Sequence, residues 1–131
     1  MRTVDRDARC PCTSGLTFEE CCGPVLAGRR RAPTAEALMR SRFTAFAVGD
    51  AEHLLASWHR STRPADLDLD DTIDWYRLDV LDTVGGGPFD TTGQVRFTAF
   101  YRGPGGRASM TEHSRFERVD GSWFYLDGDQ L

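Results

Sequence analysis

The sequence predicts an α+β domain with a metal-binding hook at its N-terminal end. Three observations lead there. All four cysteines of the 131-residue chain fall between Cys10 and Cys22. From Thr34 to Trp58, apolar residues recur at helical spacing. From Leu78 onward the pattern changes to period-two runs separated by turn signals. Helices followed by an antiparallel set of strands pack on one face of a sheet. The expected boundaries are a metal-binding module at 1–28, with a flexible lead-in over its first nine residues, and an α+β domain at 29–131.

Cys10, Cys12, Cys21 and Cys22 are the candidate ligands. A tetrahedral zinc needs four thiolates converging at about 2.3 Å. Cys10 and Cys12 can face inward from a tight turn, Gly15 lets the chain reverse, and Cys21 and Cys22 return together. Ser14 and Gly15 support the loop. Disulfides suit this spacing poorly, because adjacent cysteines and cysteines two apart rarely have the Cα separation a bridge needs. Bridging between the two pairs remains open. Redox exchange usually employs Cys-x-x-Cys, and the spacing here is Cys-x-Cys. Arg9 is placed to offset part of the charge of a four-thiolate site. Leu16 and Phe18 are the large apolar groups expected to dock the hook onto the body. Arg29-Arg30-Arg31 reads first as a solvated turn and second as a contact for an acidic partner.

Thr34 is a good N-cap, Glu36 suits the first turn, and Gly49 ends the first long helix. Asp50 caps a second, with Leu54, Leu55 and Trp58 on one face. Asp66, Asp68, Asp70 and Asp71 form an exposed acidic loop, lacking the pattern of a calcium loop. A short helix is expected through Ile73, Trp75 and Tyr76. Strands follow at 78–84, 94–101, 110–119 and 123–126. Val95, Phe97 and Ala99 share one face of the second, and Asp120-Gly121 is a hairpin signal.

The cysteine pattern, Cys-x-Cys-x-Ser, six residues, then Cys-Cys, resembles the SEC-C motif found at the C-terminus of the translocase ATPase SecA. Thr13 stands where that motif usually has glycine. Cys21-Cys22-Gly23-Pro24, the stretch from Ala32 to Phe43, and Trp123-Phe124-Tyr125 resemble the YchJ family of small bacterial proteins. The resemblance covers nearly the whole chain and implies a nuclear transport factor two-like (NTF2-like) cone fold for the α+β body. By resemblance to SEC-C modules, partners would belong to protein export or quality control: the chaperone SecB, ribosomes or nascent chains. The implied cofactor is a zinc ion, with iron as the alternative, because thiolates suit both metals.

Composition narrows the classes. No run approaches the roughly 18 apolar residues of a membrane helix. The polar N-terminus lacks a signal-peptide pattern, so the expected compartment is the cytoplasm, where thiols stay reduced. A net charge of −4 implies no general nucleic-acid binding. All sixteen basic residues are arginine, so no lysine is available for a Schiff base.

The cone fold often encloses a pocket. Its candidate residues are Arg42, His59, Asp66, Tyr101, Glu112 and His113. Glu112 and His113 are strand neighbours, so only one of them can face inward. Arg42 is expected to pair with a carboxylate such as Glu112 or to act as an anion hook. Gly85-Gly86-Gly87 is not a phosphate loop. No Ser/His/Asp set lines up. Three functions follow: a metal-held adaptor surface, a small-molecule pocket or enzyme with Glu112 or His113 as general base, and metal handling through the thiolates. The first is favoured.

Overall fold

The computed structural model describes residues 1–131. Three helices precede four strands: α1 (Cys22–Leu26), α2 (Ala35–Val48), α3 (Ala51–Ala56), β1 (Asp74–Gly85), β2 (Thr92–Gly103), β3 (Gly106–Val119) and β4 (Ser122–Gln130). The strands form one antiparallel meander in the order β1-β2-β3-β4. The fold is the expected small α+β architecture with a cysteine cluster at its N-terminal end.

The long helix forms where its end signals place it. The Thr34 side chain accepts from the Ala37 N–H at 3.0 Å. Gly49 closes the helix at φ 82°, a left-handed conformation that suits glycine. Asp50 then caps α3 by accepting from the His53 N–H at 3.0 Å. Leu38, Met39 and Phe43 of α2 pack against Leu78, Val95, Phe97, Ala99, Phe116 and Trp123 of the sheet. Gly93 permits a close backbone approach: a Cβ there would stand 2.6 Å from Gly86 Cα. That closeness lets Ala35, at the start of α2, donate to the Gly86 carbonyl at 2.9 Å.

The expected helix through Ile73, Trp75 and Tyr76 does not form; β1 already begins at Asp74. The physical reason lies in the strand register. Trp75 pairs with Tyr101 and Arg77 with Phe100, so Tyr76 is an extra, bulged residue. A bulge resets the alternation. Trp75, Leu78 and Val80 consequently all turn toward the core, and the start of β1 lacks strict period-two alternation. A second irregularity between Val80 and Asp82 leaves Leu81 exposed. These bulges bend and twist the sheet around α2.

The cysteine segment is built into the body. Cys10, Cys12 and Cys22 belong to the same hydrophobic cluster as Leu38, Phe43 and Leu78. Phe18, Val25 and Leu26 pack against that cluster, whereas Leu16 is 48% exposed and docks nothing. The lead-in, expected to be flexible, is pinned as well. Arg2 N–H donates to the Val48 carbonyl at 2.7 Å, and the Arg6 and Ala8 carbonyls accept from Glu19 and Phe18.

Candidate metal centre and a buried cavity

The hook is a small knot of backbone hydrogen bonds. Cys10 N–H donates to Leu16 O at 2.9 Å, and Thr13 N–H returns to Cys10 O at 3.0 Å. Gly15, at φ 92°, turns the chain so that Thr17 bridges back to Arg9. Cys21 and Gly23 both donate to the Phe18 carbonyl. A Cβ on Gly23 would meet that carbonyl oxygen at 2.8 Å, so glycine is required there.

The four sulfur atoms lie within 4.8 Å of one another. Cys12 and Cys21 are 3.6 Å apart, and Cys21 and Cys22 are 3.8 Å apart. The edge of a tetrahedron with thiolates at about 2.3 Å is about 3.8 Å. The separations match a shared metal and are too long for S–S bonds; all four cysteines are free. Cys10, Cys12, Cys21 and Cys22 would therefore hold a metal together. That metal would supply a cross-link closed to further ligands.

Hydrogen bonding among the thiols sets their protonation. Cys12 is held far below the ordinary thiol value, first by its hydrogen bond with Cys10 and then by that with Cys22. Cys10, sharing its proton with Cys12, is pushed up to about 11. Cys22 is driven higher still by Cys10, Cys12 and burial. Binding a metal would require the thiols that bear protons to release them.

Second contacts orient the ligands. Ser14 Oγ donates to Cys21 Sγ at 3.3 Å. Thr44 of α2 reaches Cys10 Sγ at 3.7 Å. The nearby cation is Arg40, not Arg9. Arg40 Nη1 donates to Cys12 O at 3.2 Å and lies 3.9 Å from Cys12 Sγ, while Nε holds Glu36 at 3.0 Å. Arg9 turns instead to Gly15 O. Arg40 and Thr44 sit far along the chain, and only the four-residue spacing of Glu36 and Arg40 hinted at an ordered arginine.

Thr13, the residue in the usual glycine position, adopts φ 59°. Its hydroxyl donates to Leu78 O at 3.0 Å and accepts from Leu78 N–H at 3.1 Å. Those bonds to β1 offset a backbone strain of order 1–2 kcal/mol.

A cavity of about 310 Å³ lies between α2 and the sheet. Of the predicted pocket residues, it brings together only Arg42 and Glu112. Arg42 does not pair directly with Glu112. Its Nη1 donates to Leu54 O and Ser57 Oγ, both at 2.8 Å. Its guanidinium lies 5.0 Å from the Trp58 ring centroid and 4.5 Å from that of Tyr125. Burial pushes the Arg42 value down to about 10, against the opposing pull of Tyr125 and Glu112. Tyr125 donates from its hydroxyl to Glu112 Oε2 at 3.3 Å. Ser114 Oγ donates to the same oxygen at 2.5 Å.

His113 points to the opposite face of the sheet, where its Nε2 meets Gln94 at 2.6 Å, as the alternation with Glu112 requires. His59 lies outside the cavity as well. Its backbone N–H donates to Tyr125 O, its ring accepts from Ser61, and Nε2 is 3.6 Å from Glu117. Tyr101 stacks on Trp75, 4.8 Å between centroids, behind the cavity wall. Asp66 is exposed in the acidic loop. Trp58 and Tyr125, which the sequence reading did not select, are the aromatic partners of Arg42. Trp58 was legible only as an apolar residue near the end of α3.

A cysteine quartet seated in the core of a helix-on-sheet body defines a protein with a candidate metal-binding hook fused to a cone domain. Residues 34–128 match the YchJ middle NTF2-like domain, and residues 8–24 match the SEC-C motif. The chain belongs to the YchJ, or UPF0225, family. It is 55% identical to a UPF0225 protein of Corynebacterium efficiens over 95% of each chain. A UPF0225 protein of Streptomyces coelicolor is also 55% identical, over 93% of this chain and 95% of its own. The solution structure of a SEC-C motif containing protein from Rhodopseudomonas palustris superimposes with a TM-score of 0.82 at 34% identity, covering 93% of this chain and 98% of that one. A crystal structure of a SEC-C motif containing protein from Psychrobacter arcticus gives 0.76 at 26% identity, covering 93% and 82%.

Proposed function

We propose that this protein binds a structural zinc ion and uses the surface so held as a protein-docking site, an adaptor role in export or quality control. The observation that carries the reading is the mutual 4.8 Å enclosure of four sulfur atoms, three of them buried in the core. A site with four thiolates leaves no open coordination position, which favours structure over metal catalysis. Zinc is the metal proposed because a closed tetrahedral thiolate set is its common structural site. Leu16, exposed at the tip of the hook, is the apolar contact offered to a partner. Arg30 borders the same cleft beside Cys21. Phe18 faces the core and is not part of that surface. The candidate partners are SecB, ribosomes and nascent chains, in a thiol-reducing cytoplasm.

Two assays test the reading: binding of zinc-loaded protein to purified SecB, and cosedimentation with ribosomes carrying nascent chains. Leu16→Asp should keep its metal and lose about tenfold in affinity for the true partner. Equal binding by Leu16→Asp, or binding to neither partner, contradicts the adaptor reading.

A further inference from the structure

The cavity beneath α2 holds buried donors that the chain leaves without acceptors. Arg42 is only 3% exposed. Both its hydrogen bonds run from Nη1 to neutral oxygens. Nε and Nη2 have no protein partner. Trp58, on the same wall, has a fully buried indole N–H with no acceptor. Such a buried unpaired donor costs about 1–3 kcal/mol. Glu112 lines the same cavity but makes no ion pair with Arg42; its Oε2 takes Ser114 and Tyr125.

Apart from Glu112, Gln130 and the Tyr125 hydroxyl, the rest of the lining is apolar, including Phe43, Phe46, Trp75, Phe97 and Met110. A volume of about 310 Å³ sits at the lower end of small-molecule sites. It suits a ring-sized body packed against aromatic faces. A carboxylate on that body would give Arg42 a charged acceptor of matching planar geometry and would satisfy the indole N–H beside it.

We infer that this cavity binds a small carboxylic acid with a ring-sized apolar body, its carboxylate on Arg42 and the Trp58 N–H. The site shares no residue with the cysteine hook and stands independently of the adaptor reading.

The test uses the metal-loaded full chain, isotope-labelled at its three tryptophans. The probes are benzoate, phenylacetate and indole-3-acetate, each against its neutral amide. At least one acid should shift the Trp58 indole resonance saturably, with its amide binding about tenfold more weakly or worse. Arg42→Lys, which keeps the charge but loses the planar fork, should weaken that acid about tenfold. Trp58→Phe keeps a ring, removes the N–H, and identifies the resonance by its disappearance. Followed by the remaining tryptophan fluorescence, it should weaken binding about threefold or more while the urea midpoint stays close to wild type. Equal binding of acid and amide, or no saturable shift with any of the three acids at millimolar concentration, overturns the inference.

Discussion

The cysteine quartet and the Arg42 cavity both set polar groups into one hydrophobic core, and they do so at opposite ranges along the chain. The quartet is local. Cys10 to Cys22 fold into a knot whose backbone bonds stay within the hook. The cavity is assembled from distant segments: Arg42 on α2, Trp58 after α3, Glu112 on β3 and Tyr125 on β4. The compensation also differs. The quartet shares protons among its thiols and would exchange them for a metal. Arg42 is stabilised by two aromatic faces and two neutral acceptors, with part of its donor capacity unspent. A local cluster can be complete in itself, whereas the assembled one is satisfied only in part by the chain.

The largest effect should come from the metal. The cysteines share the core of α2 and β1, so chelation should loosen more than the hook. Structural zinc sites contribute on the order of 10 kcal/mol of apparent binding energy, and loss of several kcal/mol of stability is expected. In hydrogen exchange, a chelated sample or a Cys10→Ser/Cys12→Ser variant should lose protection around Leu38, Phe43 and Leu78, not only at 8–26. If protection is lost from 8–26 alone, the hook is an independent module.

A smaller effect, on the cavity side, should come from pH. His53 of α3 bonds Ser41 Oγ at 2.9 Å. Burial lowers its pKa from 6.5; Asp50 pulls it up and Arg42 pushes it further down. The folded state therefore resists protonating this ring. Stability is full above the unfolded value near 6.5 and is lost as pH falls below it toward the lowered folded value. The urea midpoint should drop between about pH 7.5 and about pH 5.5, by up to roughly 1 kcal/mol in stability. His53→Gln should reduce that drop. An identical drop in both proteins would show that His53 does not carry the acid sensitivity.

The same contrast of range governs what the sequence made legible. The cysteine cluster, the Thr34 and Asp50 caps, the Gly49 stop and the Asp120-Gly121 hairpin all depend on neighbours a few residues away. Each formed where expected, Asp120 and Gly121 both at positive φ. The opposite facing of Glu112 and His113 followed from strand alternation alone. Longer-range effects hid the rest. The bulge at Tyr76 breaks strict alternation at the start of β1, so residues 73–76 did not read as strand. Arg40 replaced Arg9 beside the sulfurs because helix packing chose the cation, not sequence proximity. The contacts of Tyr125 with Arg42 and Glu112 depended on β4 register, which no local pattern announces.

The central claim is that the quartet is a closed metal site built into the core. X-ray absorption at the zinc edge, on protein purified without added metal, tests it most directly. The account predicts stoichiometric zinc with four sulfur neighbours at about 2.3 Å and no oxygen or nitrogen in the inner shell. Substoichiometric metal, or an inner shell containing water or nitrogen, would contradict it.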